Sequence, residues 1–169
     1  MHRVETIRFV AEGPLGKLVK WLRLIGFDTL YEPHIPKGIR NIASAERIRL
    51  TRTKNSLVFT SVQPVLCIRS DHVRDQLRQV VWETKIRRKD LRPFSRCIRC
   101  NSEIHRVDKF EAASRVPDHV WETHETFSAC RTCGRIFWPG THTRRAGRII
   151  DALFGEVSPE EDETKTEEP

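Results

Sequence analysis

The sequence predicts an α/β fold in which a parallel sheet flanked by helices is followed by a small zinc ribbon built on four cysteines. Strand-like and helix-like segments alternate from residue 6 to residue 82, which is typical of a parallel sheet with crossover helices. Two C-x-x-C motifs then follow, on either side of residues 101–129. The chain of 169 residues is long enough for one packed core and a metal-stapled module.

The four cysteines at this spacing predict one zinc ion held by Cys97, Cys100, Cys130 and Cys133. Two disulfides, a redox centre or unconnected core cysteines are the other interpretations. The first residues contain no long apolar run, so we expect no secretory signal and a cytoplasmic location, where reducing conditions disfavour disulfides. A thioredoxin-like centre needs one such motif rather than two. The fifth cysteine, Cys67, lies in an apolar run, and we expect it to be a small buried hydrophobic residue.

The first predicted elements are a strand at residues 6–11 and a helix from Pro14 to Gly26. Proline suits the first turn of a helix and glycine suits its end. One face of this helix is apolar and consists of Leu15, Leu18, Val19, Leu22 and Ile25. The opposite side carries a basic ridge made of Lys17, Lys20 and Arg23. This ridge is either a phosphate-binding surface or an ordinary solvated face.

The remaining elements follow from the same patterns. Further strands are predicted at residues 27–31, 48–51 and 65–69, and a helix at residues 39–47. Residues 52–64 have no firm assignment. The next helix starts after the N-cap candidates Ser70 and Asp71, and its apolar face consists of Val73, Leu77, Val80 and Val81. After the basic linker at residues 85–93 we expect a strand or short helix at 107–113, strands at 120–121 and 135–138, and a final amphipathic helix.

Acidic residues occur where the parallel strands of the predicted sheet end. Glu12 follows the first strand, and this edge of a parallel sheet is where ligands and metals collect. A single glutamate there is equally explained as a favourable charge at the start of a helix. Asp71 and Asp75 are four residues apart, so they are expected to share one helix face.

Charge is distributed unevenly along the chain. Residues 1–96 contain 20 Lys and Arg against 9 Asp and Glu, residues 97–155 contain 9 against 7, and residues 156–169 contain 1 against 7. A polyanion, most commonly RNA or DNA, is therefore the expected partner of the basic part, although a merely solvated basic surface is the alternative. The acidic tail is expected to be disordered. No apolar run is long enough to span a bilayer, so a soluble protein with no membrane contact is expected.

Five segments of the chain together match the sequence pattern of a known family. The most specific parts are Gly16–Arg23 and the Arg-Cys-x-x-Cys-Asn run at residues 96–101. The segments are residues 8–29, 50–52, 70–77, 95–101 and 130–142. In register over about residues 6–142, they resemble the Mut-seven C-terminal RNase domain family. The resemblance implies a PIN-like nuclease fold fused to a zinc ribbon, with single-stranded RNA as the substrate. We expect a PIN-like α/β domain at residues 1–92, a zinc-ribbon module with a C-terminal helix at 93–155, and a disordered acidic tail at 156–169.

The resemblance also implies a set of site residues. A PIN-type nuclease uses several carboxylates to hold one or two Mg²⁺ or Mn²⁺ ions. This assigns the catalytic or metal-binding role to Glu12, Asp71 and Asp75. Contact with RNA phosphates is assigned to Lys17, Lys20, Arg23 and Arg52.

The chain departs from the family pattern at its acidic positions. It has Glu12 where members usually have aspartate, Thr53 where they have aspartate after Leu-Thr-Arg, and no acidic run at residues 34–38. Removing charge from a hard-cation site weakens it. We therefore expect an RNA-binding protein that resembles a metal-dependent ribonuclease and has partly lost its catalytic carboxylates. An active single-strand-specific endoribonuclease and a zinc-stapled protein-interaction module are the alternatives.

Overall fold

A four-stranded parallel sheet forms the N-terminal part of the protein in a computed structural model that describes residues 7–36, 46–53 and 63–155. The strands are β1 Arg8–Ala11, β2 Asp28–Tyr31, β3 Ile48–Thr51 and β4 Val65–Cys67. Their order is β2-β1-β3-β4, and each neighbouring pair is parallel. The predicted α/β class with a parallel sheet is confirmed.

In the described ranges, two helices flank this sheet. A 3-10 turn at Gly13–Leu15 leads into α1, Gly16–Leu24, and α2 is Val73–Glu83. The apolar faces predicted from helical spacing are largely confirmed, although Val73, predicted on the second face, is only half-buried. The fully buried side chains include Leu18, Leu22, Leu77 and Val80. They share the core with the strand residues Phe9, Val10 and Leu50. Burying each of these side chains stabilises the fold by roughly 1.5–3 kcal/mol before the cost of ordering the chain.

The start of α2 differs from its prediction. Its N-cap residue is His72, and neither Ser70 nor Asp71 caps it. The Ser70 hydroxyl instead accepts a hydrogen bond from the His72 amide at 3.1 Å and lies 3.2 Å from an Asp75 carboxylate oxygen. Asp71 therefore precedes the helix and does not share a helix face with Asp75. The predicted helix at residues 39–47 falls mostly outside the described residues.

The edge position of β4 corrects the expectation for Cys67. Among the described strands, β4 pairs only with β3, and all three of its residues are half-buried. Cys67 is accordingly half-buried rather than fully buried. An edge strand keeps part of its surface open to water, which the apolar run alone does not reveal.

The ribbon contains a second, three-stranded antiparallel sheet. Its strands are β5 Ile104–Val107, β6 Phe127–Cys130 and β7 Ile136–Phe137. Two short helices, α3 Lys109–Ala112 and α4 Asp118–Thr123, lie between β5 and β6. A small apolar cluster joins the helices to the sheet and includes Ala112, Val116, Val120, Phe127, Ala129 and Ile136.

The prediction of a strand at residues 120–121 is wrong, because these residues belong to α4. Pro117 caps the helix, Val120 turns into the apolar cluster, and the Trp121 indole donates to the Lys109 carbonyl at 3.1 Å. Two adjacent apolar residues fit either secondary structure, and helical packing decides between them here. The strand predicted at 135–138 is confirmed as β7.

The linker into the ribbon satisfies the open end of α1. The Arg92 and Phe94 amides donate to the carbonyls of Ile25 and Leu24 at 3.0 and 2.7 Å. These carbonyls have no partner within the helix, so the linker serves as its C-terminal cap. Gly26 has a φ of +106°, and a Cβ atom there would lie 2.5 Å from the Arg92 carbonyl oxygen. Only glycine fits this approach of the two backbones.

The last helix, α5 Thr141–Phe154, begins a separate compact unit. The chain divides into two compact units, residues 1–139 and 140–169. The boundary predicted at residue 92 stays a prediction, and the acidic tail at 156–169 lies outside the described residues. Within the part of the chain that is described, no helix is long and apolar enough to cross a membrane.

Candidate metal centre and basic groove

The two C-x-x-C motifs fold into matching turns. In the first turn the Cys97 amide donates to Ser102 at 2.8 Å and the Asn101 amide donates to Cys97 at 2.9 Å. The second turn repeats both bonds, from Cys130 to the Arg135 carbonyl and from the Gly134 amide to Cys130, at 3.0 and 2.9 Å. The residue after each second cysteine adopts a left-handed conformation, with a φ of +71° at Asn101 and +70° at Gly134. Both turns therefore direct two thiols to the same side.

The four thiols converge on one point. All four Sγ atoms lie within 4.8 Å of one another. The Cys97 and Cys133 sulfurs are 3.7 Å apart, and those of Cys100 and Cys130 are 3.3 Å apart. A tetrahedral zinc site with bonds of about 2.3 Å places its sulfurs about 3.8 Å apart, so the cluster fits one structural zinc ion. None of the four forms a disulfide.

The environment of the thiols differs from one to the next. Burial raises the pKa of Cys97 to about 12 and also raises the pKa of Cys130. Burial acts in the same direction on Cys100, but hydrogen bonds from the Ser102 amide and the Cys130 thiol outweigh it and lower the pKa of Cys100 to about 6. A zinc ion supplies the positive charge that favours thiolates at all four positions.

Asn101 joins the first turn to the edge of the parallel sheet. Its side-chain oxygen accepts from the Thr29 amide at 2.9 Å, and its side-chain nitrogen donates to Asp28 at 2.6 Å. Thr29 is completely buried and lies on β2, an edge strand. The first turn therefore covers an edge that would otherwise present unpaired backbone groups.

Two buried arginines complete this junction. Arg23 is 5% exposed, and its guanidinium donates to the carbonyls of Thr29, Ile98 and Arg99 at 2.9, 3.1 and 2.8 Å. Burial lowers the pKa of Arg23. Arg47 makes a bidentate pair with Asp28 at 2.8 and 2.9 Å. Burial opposes ionisation of Asp28, but the hydrogen bonds from Arg47 and Asn101 outweigh it and lower the pKa of this carboxyl.

The C-terminal edge of the parallel sheet gathers carboxylates and an arginine. Glu12 follows β1, and its Oε2 accepts from the Thr51 hydroxyl at 2.6 Å. Glu32 follows β2, and Arg49 of β3 donates to it at 3.2 Å. The same Arg49 nitrogen lies 3.9 Å from the other oxygen of Glu12. A guanidinium thus stands between two carboxylates at the place where the resemblance puts a divalent metal ion.

The other predicted catalytic acids pair with arginines. The Asp71 side chain is 88% exposed and pairs with Arg52. Arg52 also donates to three carbonyls, those of Ile68, Arg69 and Ser70. Asp75 lies 3.8 Å from Arg78 of its own helix. Arg52 therefore holds the chain after β4 in place, and contact with phosphate remains a prediction for it and for Arg23.

The carboxylates do not fit a divalent ion as placed. Among the described residues, the four cysteines are the one group of three or more metal-ligating side chains whose ligand atoms lie close enough to share an ion. The internal segments 37–45 and 54–62, which lie outside the description, contain no Asp or Glu, whereas the undescribed ends contain Glu5 and the acidic residues of 156–169. Glu12, Asp71 and Asp75 thus keep their catalytic assignment only as a prediction.

An open groove of about 750 Å³ runs between α1 and the two cysteine turns. Lys17 and Lys20 line it from α1, both exposed, which places this part of the predicted basic ridge at a concave surface. Arg99 and Arg135 line it from the first and second turns. Asp71 is the acidic residue among those that line the groove, and its carboxylate is paired with Arg52.

Sequence patterns missed several of these residues. Glu32 and Arg49 become neighbours of Glu12 only through the strand order β2-β1-β3, which the sequence does not state. A signal for Asn101 was available, because asparagine after a C-x-x-C motif occupies the position that glycine takes in the second turn. Nothing in the sequence alone directs Arg99 and Arg135 toward α1.

Comparison with known protein families identifies a match. A family model described as the Mut7-C RNAse domain matches residues 7–150. No curated protein matches the chain significantly. No solved structure does so either. The match spans most of the chain and includes the parallel sheet, the groove and all four cysteines.

Proposed function

The chain belongs to the Mut7-C RNAse domain family, and we propose that it binds single-stranded RNA while its capacity for metal-dependent hydrolysis is weak. The groove beside α1 carries this proposal. Phosphates supply most of the affinity of proteins for nucleic acids through contacts with lysine and arginine. Lys17 and Lys20 are exposed along one wall of this concave surface, where a strand of RNA has access to both.

Several other cations of this part of the chain are used inside the fold. Arg23, Arg47, Arg49 and Arg52 are engaged by carbonyls and carboxylates of the protein itself. Within the described ranges, neither Lys17 nor Lys20 has a hydrogen bond or ion pair through its side chain. A lysine without an internal partner can bind a phosphate without first breaking a hydrogen bond or ion pair. The basic excess of residues 1–96 is thus partly structural. Its unpaired part includes Lys17 and Lys20 in the groove and also exposed cations outside it, such as Arg74 and Lys85.

The acidic edge supports the second half of the proposal. Magnesium and manganese prefer several oxygen ligands, usually with more than one carboxylate. Here Arg49 already neutralises charge between Glu12 and Glu32, and Thr53 supplies no carboxylate. Displacing the guanidinium would leave a partly buried cation without its partners, which is costly. A divalent ion therefore competes poorly for this place.

The test is incubation of the purified chain with labelled single-stranded RNA, with Mn²⁺ or with a chelator. Binding is expected in both conditions and slow cleavage only with Mn²⁺. Thr53→Asp should increase that cleavage by adding a carboxylate, and Glu12→Gln should remove what remains. The Asp71→Asn variant tests the third acid in the same assay.

Active endonuclease function is the alternative outcome. Rapid Mn²⁺-dependent cleavage by the unmodified chain, lost in Glu12→Gln, would show that Arg49 does not block the site. Rapid cleavage that survives both Glu12→Gln and Asp71→Asn would place the active site elsewhere. Absence of RNA binding in every condition would contradict the proposed function itself.

A further inference from the structure

The zinc ribbon contributes two cations to the groove that α1 lines. Arg99 is the third residue of the first C-x-x-C turn, and Arg135 directly follows the second turn. Both are exposed and line the same groove as Lys17 and Lys20. In the described part of the chain, neither guanidinium donates a hydrogen bond or forms an ion pair. These arginines thus resemble the groove lysines rather than the buried arginines of the junction.

We propose that the two cysteine turns form the second wall of the RNA site, with Arg99 and Arg135 bound to phosphates of the strand that lies along Lys17 and Lys20. The inference rests on the proposed function and extends it. The ribbon then contacts the RNA directly, in addition to stabilising the fold. Arginine suits this role because its planar guanidinium donates two hydrogen bonds to one phosphate.

Two aromatic rings that line the groove bear on whether it takes single-stranded or duplex RNA. Tyr31 and His34 both line it, with ring centroids 4.8 Å apart and planes at 84°. The Tyr31 hydroxyl donates to the Gly13 carbonyl at 2.7 Å, which holds the pair in place. His34 is exposed and also lines an adjoining cavity of about 400 Å³. An exposed ring accepts a base only if that base has left its stack, so single-stranded RNA fits the groove and duplex RNA does not.

The metal centre gives this wall its shape. Arg99 and Arg135 belong to different turns, and the four thiols are what bring those turns together. A zinc ion held by these thiols therefore positions both arginines without touching the RNA. RNA affinity is expected to fall when the zinc is removed by a chelator, in parallel with zinc content.

The test compares two double variants of the full zinc-loaded chain. Arg99→Ala with Arg135→Ala removes the second wall. Arg106→Ala with Arg131→Ala removes the same charge from exposed ribbon positions outside the groove. Binding of a labelled oligouridine is measured by fluorescence anisotropy over a range of salt concentrations. Loss of two phosphate contacts should flatten the plot of log affinity against log salt by about 1.4, because each contact on a single strand contributes about 0.7.

A second pair of variants tests the stacking surface without changing the charge. At pH 8, His34→Ala should weaken binding about fivefold or more and leave the salt slope unchanged, since stacking of one base is lost. His34→Phe keeps an aromatic ring and should retain most of the affinity. These variants lie outside the cysteine turns, so they test the site even if the arginine variants fail to fold. Zinc content of about one ion per chain confirms that each measured variant has kept its ribbon.

The outcomes separate this inference from the proposed function. An unchanged slope in the groove double variant, or an equal change in the control, would overturn the second wall. If Lys17→Ala with Lys20→Ala still changed the salt slope, the proposal that α1 binds RNA would stand. Equal affinity for duplex and single-stranded RNA, or full affinity of His34→Ala, would overturn the stacking surface. Absence of binding by the unmodified chain would contradict the proposed function as well.

Discussion

Replacement of Asn101 tests the junction between the first cysteine turn and the parallel sheet. Asn101→Gly keeps a residue that tolerates the φ of +71° but removes the hydrogen bonds to Thr29 and Asp28, which are 2.9 and 2.6 Å long. A neutral hydrogen bond contributes roughly 0.5–1.5 kcal/mol, and one to a charged group roughly 1.5–3 kcal/mol. The variant also leaves the amide of the fully buried Thr29 without its acceptor. We expect a loss of about 3 kcal/mol in the free energy of unfolding.

Two further variants separate side-chain bonding from backbone strain. Asn101→Ala loses the same bonds and adds the cost of a left-handed conformation, so it should be about 1 kcal/mol less stable than Asn101→Gly. Gly134→Asn is the matched control in the second turn. Its φ is +70°, and an added Cβ would meet only Arg115 at 3.5 Å, an ordinary contact. Asparagine tolerates this conformation, and the change should cost less than about 1 kcal/mol.

Denaturant unfolding of the zinc-loaded proteins, followed by circular dichroism, measures these differences. Zinc content is determined on the same samples, because loss of metal would add a separate cost. An Asn101→Gly midpoint equal to that of the unmodified chain would refute the junction as a source of stability. A loss no larger than that of Gly134→Asn would do the same.

Three other predictions follow from the fold and the metal centre. Metal analysis of protein purified without added zinc should give about one zinc per chain, and disulfides in its place would contradict the site. Gly26→Ala should lower the free energy of unfolding by about 3 kcal/mol, and with it the melting temperature, because the added Cβ would lie 2.5 Å from a carbonyl oxygen. Gly147→Ala is the control, because an added Cβ there meets nothing within 4 Å and should not destabilise the protein. Because the folded-state pKa of Asp28 is lowered, its ionised form stabilises the protein above the unfolded pKa. The stability advantage over Asp28→Asn should therefore be constant near neutral pH and shrink as the pH falls below about 4, and a pH-independent advantage would argue against it.

Local patterns predicted the elements whose signals are complete within one segment. The stripe containing Leu18 and Leu22 identified α1, and the glycine at its end marked the turn that Gly26 forms. The spacing of the cysteines identified the metal centre because each C-x-x-C turn supplies two ligands from a few residues. The turns therefore need little information from the rest of the chain.

Local patterns could not predict contacts between residues that are far apart in the sequence. Arg49 reaches both Glu12 and Glu32 because β1 lies between β2 and β3, and no local feature encodes that order. The same limit applies to Arg23, which spacing placed on a basic ridge but whose guanidinium turns toward the carbonyls of the first cysteine turn. A helical pattern shows which side of a helix a residue occupies, not what a neighbouring segment offers to it.

The salt dependence of RNA binding tests directly whether the groove binds RNA through its phosphates. Affinity of the unmodified chain for a labelled single-stranded RNA is measured from low to high salt and compared with that of Lys17→Ala combined with Lys20→Ala. If the groove binds phosphates, affinity should fall steeply with salt, and the double variant should flatten the logarithmic slope by about 1.4. A salt-independent affinity, or a slope that the double variant leaves unchanged, would contradict RNA binding at this surface.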